Sequence, residues 1–236
     1  MIQDEFGTNQ IWGTQKAIQF RDHRRAQVIL NSIVPLSEKK ILELGPGSGF
    51  LLELLKQEKT HYQFLAIEKS RSFYQNLKKQ SYPSCINIQN AEAITFLENN
   101  LQPFSHITGV GILHHIWYHP NWVSLLKKNI EPNGSLIFIE PNPHNPLARF
   151  IFSTSLGRAL FKLESVESLK TPFQIQKELA QDFQEISITP FDLNYPFFNL
   201  SMMRGLTTIE KKIPKILLKS LSQSIIIQAK VKQDIS

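Results

Sequence analysis

Between residues 40 and 140 the chain alternates short apolar runs with stretches long enough to be helices. The runs KILEL (40–44), YQFLAIE (62–68), SCINIQ (84–89), FSHITGVGIL (104–113) and SLIFIE (135–140) read as five strands. Their nearly continuous apolar character suits strands covered on both faces of a mainly parallel sheet. FLLELLK (50–56) and WVSLLKKNI (122–130) read as helices, the second with Pro120 near its start. Another helix opens at Ser70, a suitable N-cap, and PNG at 132–134 marks a turn. Before the first strand, Ile18, Val28, Ile29 and Ile33 are separated by Arg21, Arg24 and Arg25. That spacing predicts one or two amphipathic helices over 14–34, stopped by Pro35.

The last third has a different texture. Residues 145–183 look helical and carry Phe150, Phe152, Phe161, Phe173 and Phe183. EISITPF (185–191) and SIIIQAKVK (224–232) then read as two late strands, joined by a long connection. Five parallel strands followed by two more suit a sheet ending in an antiparallel pair. The expectation is one domain over 1–236, with residues 1–36 as a helical lid and 143–175 as a helical insertion over a pocket.

Composition narrows the class without naming it. Of 236 residues 42% are apolar, enough for a sizeable core, and no apolar run reaches transmembrane length. Asp4 and Glu5 do not suit a signal peptide, so a cytoplasmic setting is expected. Cys85 is the single cysteine, which excludes an intrachain disulfide or a cysteine-rich zinc cluster. A net charge of +6 would attract anionic partners, but at 19% charged residues it also describes an ordinary basic protein.

Candidate chemistry begins at ILELGPGSGF (41–50). A strand, then Gly45-Pro46-Gly47-Ser48-Gly49, then a helix presents backbone N–H groups at a helix N-terminus, where an anionic group is favoured. The dinucleotide pattern needs its third glycine where this chain has Phe50, and the triphosphate loop needs Lys followed by Ser or Thr. Both readings are weakened; an adenosine-bearing cofactor, or a purely structural turn, remains. Glu43 precedes the turn and Glu68 closes the second strand, where a carboxylate can accept bonds from ribose hydroxyls or stand as a solvated strand-end charge. Asn90-Ala91-Glu92, at the end of the third strand, could read an adenine edge.

The segments ILELGPGSGF, LAIEKS, QNAEAI, GVGILHHI and IEPNGSLIFIEPNP resemble, in order and spacing, the class I S-adenosylmethionine-dependent methyltransferases. They look most like the small-molecule group that includes quinone-biosynthesis enzymes. The resemblance covers roughly residues 40–142. It implies a Rossmann-like seven-stranded α/β sheet, mainly parallel with the last strand antiparallel, and S-adenosyl-L-methionine as cofactor. The implied cofactor contacts are Glu43, Gly45, Pro46, Gly47, Gly49, Glu68, Lys69, Asn90, Ala91, Glu92, Val110 and Gly111. Ser105 departs from the family, which usually has aspartate at the start of strand four, and the adenine-side acid is here Asn90.

Methyl transfer from a sulfonium is an in-line displacement in which the protein supplies orientation and a dry site. A base is needed only for an acceptor protonated at neutral pH. The candidates are His115 and His114, with Glu140 at the end of strand five; each could equally brace its loop. Asn142 and His144 share the ambiguity of Glu140. His115 and His119 have i, i+4 spacing, but Pro120 follows and no acidic third ligand is near in sequence, so no metal is expected. Trp12, Phe150, Phe152 and Phe161 are candidates for lining a substrate lid or for plain core packing.

An Asn/Asp-Pro-Pro-Tyr/Phe sequence after strand four is absent, and Cys85 starts a strand, which disfavours two routes to nucleic-acid methylation. The acceptor expected is small or lipid-like. A nucleic-acid enzyme or a non-catalytic cofactor-binding scaffold on the same fold are the alternatives. Over 205–221, Lys211, Lys212, Lys215 and Lys219 alternate with Ile213, Ile216, Leu217 and Leu218. A helix there could pack its apolar face on the sheet or lie on an anionic membrane.

Overall fold

A computed structural model describes residues 15–195 and 197–232. Trp12 lies outside the described residues. The elements, in chain order, begin with α1 (Gln15–Ile33), β1 (Lys39–Leu44), α2 (Phe50–Leu55), β2 (Tyr62–Glu68), α3 (Arg71–Lys78) and β3 (Ile86–Asn90). They continue through α4 (Ala93–Asn99), β4 (Phe104–Val110), α5 (Leu113–Ile116), α6 (Trp122–Lys128) and β5 (Ile130–Pro141). The last third holds α7 (Pro146–Ser153), α8 (Ser155–Leu160), α9 (Pro172–Leu179), β6 (Phe183–Phe191), α10 (Leu200–Glu210), α11 (Lys215–Leu221) and β7 (Ser224–Val231).

The seven strands form one sheet in the order β3-β2-β1-β4-β5-β7-β6. Neighbours among the first five are parallel, and β7 runs antiparallel between β5 and β6. The expected α/β sheet with its last strand antiparallel is therefore present. Alternation along the central strands divides the core in two. Leu42, Leu44, Leu136 and Phe138 face the layer that includes α4, α6 and α9, whereas Ile41, Phe64, Ile137 and Ile139 face α1, α2 and α3. Burial on both faces is why these strands read as apolar runs rather than as alternating ones.

Two local expectations are corrected, and the choice between one and two N-terminal helices is decided. PNG at 132–134 is not a turn before the strand but part of β5. Phe104 pairs with Ile130 and His106 with Ser135, so the extra residues bulge out, with Asn133 at φ 65°. The N-terminal segment over 15–33 is a single helix. The basic C-terminal segment is not one helix: Pro214 stands at the N-cap of α11, where a missing N–H is harmless, and α10 ends at Glu210. Within 145–183 the helices are three short ones. The last of them, α9, sets Ile175 and Leu179 into the core.

Parallel order puts the carboxyl ends of β1, β2, β4 and β5 along one edge, beside the point where strand order reverses from β1 to β4. That crevice is where open α/β sheets bind ligands.

Candidate functional site

The glycine turn sits in this crevice. Gly45, Gly47 and Gly49 all have positive φ, and the Gly45 N–H donates to the Ile67 carbonyl at 2.9 Å. A Cβ on Gly49 would come within 2.5 Å of the Leu77 side chain, so that glycine serves packing. A Cβ on Gly47 would meet nothing within 4 Å; it would project into open space. The opening is a cavity of about 310 Å³ lined by Asp22, Arg25, Glu43, Gly45, Pro46, Gly47 and Val110 among others. Glu43 is buried beside it, and its Oε2 has no hydrogen-bond partner among the described residues. Burial, with the Glu68 charge adding to it, pushes the Glu43 carboxyl up to about 8.

Glu68 lies next to this turn with its orientation fixed by two backbone donors. The Gly47 N–H reaches Oε2 at 3.0 Å and the Ser70 N–H reaches Oε1 at 2.8 Å. The Asn90 amide nitrogen donates to the carbonyls of Glu68 (2.7 Å) and Lys69 (3.1 Å), tying β3 to β2. What Asn90 could offer a base is thus its oxygen, not its N–H. The Ala91 N–H joins the same tie at 3.2 Å. Glu92 caps α4 by accepting from the Thr95 N–H at 2.8 Å, and Lys69 is exposed. Ser105 is far from the site, bonded to Glu131 at the amino end of β4.

A second cavity, of about 190 Å³, shares Arg25 and Val110 with the first. Its wall continues through Gly111, Glu140, Asn145, Ile151, Phe152 and Gln223 to Arg21. A larger hollow of about 820 Å³ runs past Lys39, Tyr62 and Phe104, at the amino ends of the strands. It is on the wrong edge for the glycine turn.

Glu140 and the two histidines meet at the carboxyl ends of β4 and β5. Glu140 is buried. Its Oε1 accepts from the Ile112 and Leu113 N–H groups at 2.9 and 2.7 Å, and its Oε2 bonds His114 Nδ1 at 2.8 Å. Glu167 completes the group from the far side: its Oε2 is 3.5 Å from His114 Nε2 and 3.9 Å from His115 Nε2. The Glu164 N–H holds Glu167 Oε1 at 2.7 Å, and Arg158 clamps both carbonyls of that turn. Burial works against a charge on His114, but the bonds to Glu140 and Glu167 override it and raise its pKa to about 9. His115, stacked on His114 with ring centroids 4.2 Å apart, is lowered instead by burial and by the neighbouring imidazolium. One ligand atom from each of His114, His115 and Glu167 falls within 4.8 Å of the others, a span one cation could bridge. Two carboxylates around one imidazole favour a proton there. His119 turns away to Glu98, at 3.7 Å.

The structure thus brings Glu43, Gly45, Pro46, Gly47 and Val110 to one cavity, and Val110, Gly111 and Glu140 to the next. Phe152 lines that second cavity and packs edge-on against His114, whereas Phe150 is exposed. Asn142 binds the carbonyls of Lys219 and Ser222 with its amide nitrogen, and its oxygen accepts from the His144 N–H. Sequence reasoning missed Arg21, Arg25, Gln223 and Glu167. The arginines carried a signal, an i, i+4 pair on the helix preceding the glycine turn; Glu167 carried none, lying 52 residues beyond His115.

A methyltransferase-domain family model matches residues 19–187, which is more than half of the chain. No curated protein matches. Among solved structures, an S-adenosylmethionine-dependent methyltransferase from Archaeoglobus fulgidus has 14% identity and a TM-score of 0.62, covering 90% of this chain and 94% of its own. A Listeria monocytogenes protein described in the same terms has 15% identity and a TM-score of 0.60, with 93% and 100% covered. Phosphoethanolamine N-methyltransferase 2 of Haemonchus contortus, solved with S-adenosyl-L-methionine, has 13% identity and a TM-score of 0.61, with 89% and 53% covered. At these identities the structural likeness speaks for the fold. The family match, which spans the glycine turn and the paired histidines, says more: the chain belongs to the methyltransferase-domain family and is an enzyme of that class.

Proposed function

We propose that the protein moves a methyl group from S-adenosyl-L-methionine to a small or lipid-like acceptor, with the 310 Å³ cavity as donor site and the 190 Å³ cavity as acceptor site. The observation that carries this reading is Glu43 Oε2, a buried acceptor atom without a partner beside the open cradle over Gly47. Buried polar atoms are almost always paired, so an unpaired one facing a cavity fits a ligand donor such as an amino group. Glu68 would hold the ribose, Asn90, Ala91, Glu92 and Lys69 would border the adenine, and Val110 and Gly111 would lie between donor and acceptor. The donor supplies an already activated methyl carbon, leaving the chain to orient the acceptor and exclude water.

Glu140 and His114 act here as positioning residues, because their polar atoms are committed to the backbone after β4 and to Glu167. His115 is the candidate base for a hydroxyl acceptor: it is half-buried, and its lowered pKa keeps the imidazole neutral at physiological pH. The first helix and residues 143–175 border the acceptor cavity through Arg21, Arg25, Leu147 and Phe152, the position of a lid. Peripheral membrane contact is supported by α11, which buries none of its residues and exposes Ile216, Leu217 and Leu221 among Lys211, Lys212, Lys215 and Lys219. No helix of the described residues is long and apolar enough to cross a membrane.

The test is transfer of labelled methyl from S-adenosyl-L-methionine into separated lipid, small-molecule and RNA fractions of a cell extract. Label in the lipid or small-molecule fraction is expected. Label confined to RNA would put the nucleic-acid alternative in its place, and no transfer by protein that binds the donor would favour the non-catalytic one.

A further inference from the structure

Arg21 and Arg25 stand one turn apart on α1 and both line the 190 Å³ cavity. Their Nε atoms are buried and lack a hydrogen-bond partner among the described residues, as does Gln223 Oε1 on the same wall. The rest of the lining is largely apolar, with Val110, Ile139, Leu147, Ile151 and Phe152. An apolar chamber of roughly 150 Å³ is enough to take up a benzene ring, so this one has room for a ring with substituents.

Among the described residues Arg21, Arg24 and Arg25 meet three carboxylates, Asp22, Asp192 and Glu210, with Arg24 holding the shortest contact, 2.6 Å to Glu210. Arg25 donates to Ser224 Oγ at 2.9 Å and lies 3.4 Å from Asp192 Oδ2, but Asp192 is shared with Arg24, which binds its Oδ1 at 3.0 Å. Among the described residues Arg21 pairs with its neighbour Asp22 alone, with Nε to Oδ1 at 3.5 Å. Glu140 also lines the chamber, but its carboxylate is taken up by Ile112, Leu113 and His114. Burial, and Arg21 beside it, press the Arg25 guanidinium below its ordinary pKa.

We infer that the acceptor carries an acidic group, carboxylate or phosphoryl, that docks on Arg21 and Arg25 while an apolar ring or chain stem fills the chamber against Ile151 and Phe152. This rests on the assignment of the 190 Å³ cavity to the acceptor. Arginine suits the task, since its planar fork pairs with such anions in two-point fashion. Gln223 Oε1 would accept from a hydroxyl or amino group on the same ligand. Arg25 also lines the donor cavity, so Arg21 is the residue that separates the two sites.

Three probes of matching size decide it: benzoate, phenyl phosphate and benzamide, titrated calorimetrically into protein saturated with S-adenosylhomocysteine. At least one anion should bind tenfold or more tightly than benzamide, and whichever anion binds better assigns carboxylate or phosphoryl. Arg21→Met should weaken that binding at least tenfold and leave the affinity for S-adenosylhomocysteine within twofold, with Arg21→Lys recovering part of the loss. Equal binding of benzamide, no binding of any probe, or an unchanged Arg21→Met variant would overturn the inference. A variant that loses S-adenosylhomocysteine instead would give Arg21 to the donor site and overturn it too. Failure of wild-type protein to bind S-adenosylhomocysteine would remove the donor assignment alone; the three probes, repeated without it, still decide the acid site.

Discussion

Two buried ionisable side chains, Glu43 and His114, are shifted in opposite senses relative to their charge, and each leads to a measurement. Glu43 holds its proton up to about 8 against an ordinary 4.5, so the folded state binds that proton more tightly than the unfolded chain does. Stability from this group therefore falls as pH rises from about 4.5 through about 8. A donor amino group meeting Glu43 would expel the proton. Affinity for S-adenosylhomocysteine should rise with pH up to about 8 and level off, with proton release seen by calorimetry in two buffers. Glu43→Gln should flatten that dependence; an unchanged slope would remove Glu43 from the donor site. His114 favours its charged form instead, with the same sign of pH dependence: its charge, favoured up to about 9 against 6.5, adds stability that is full below 6.5 and lost as pH rises through about 9. Glu167→Gln should pull the His114 pKa down toward 6.5 in an imidazole proton titration by nuclear magnetic resonance. A value still near 9 would show that Glu140 suffices alone.

Elements set these side chains in place, and some of their boundaries could be read in the sequence while others could not. Strands β1 to β5 were legible because burial on both faces leaves a continuous apolar run, and Ser70 was legible as a cap because it accepts from the Phe73 N–H. The bulge at 132–134 was not, because Pro-Asn-Gly signals a departure from regular pairing without saying whether the strand resumes its partner. The acceptor-side element is α7. Its N-cap Asn145 accepts from the Leu147 and Ala148 N–H groups and donates to Tyr195 and the Ser222 carbonyl. Asn145→Ala removes the cap and one of the two amide donors to the Ser222 carbonyl, so a loss of about 1 kcal/mol is expected in urea denaturation. The Michaelis constant for the acceptor should rise with it, since Leu147 and Phe152 on α7 line the acceptor cavity. For α11, replacing Ile216 and Leu217 together by Ser should abolish co-sedimentation with anionic vesicles at low salt and leave thermal stability nearly unchanged. Binding that survives the double substitution would count against membrane contact.

At the scale of the whole molecule, the parallel order of β1 to β5 does the assembling. It gathers the ends of β1, β2, β4 and β5 with α1 and the 164–167 turn, placing Arg21 and Glu167, 146 residues apart in sequence, around the same strand ends. That Glu43, Gly45, Gly47 and Val110 share one cavity was legible because they lie at strand ends with fixed spacings. The cavity proposed for the acceptor was not: Arg21 and Gln223 reach it from two separate excursions, and Glu167 meets the histidines from a third, all through tertiary packing. Exposed apolar side chains also show a pattern only at this scale. Phe197, Met202, Ile209, Ile216, Leu217 and Leu221, six of the thirteen large exposed ones among the described residues, fall within 197–221. Asn142 and Asn145 bond this segment to the loop that borders the acceptor cavity, at the carbonyls of Lys219 and Leu221. A surface-bound segment and the acceptor chamber would thus be mechanically joined.

The central claim, a donor site built on Glu43, the glycine turn and Glu68, is tested most directly by calorimetric titration of S-adenosylhomocysteine into the wild type and Glu68→Ala. One site per chain is expected, weakened in the variant by roughly 1.5–3 kcal/mol, the worth of hydrogen bonds to a charged group, or about ten- to a hundredfold in affinity. Folded wild-type protein that binds no S-adenosylhomocysteine, or a variant that binds it as tightly as the wild type, would contradict the account.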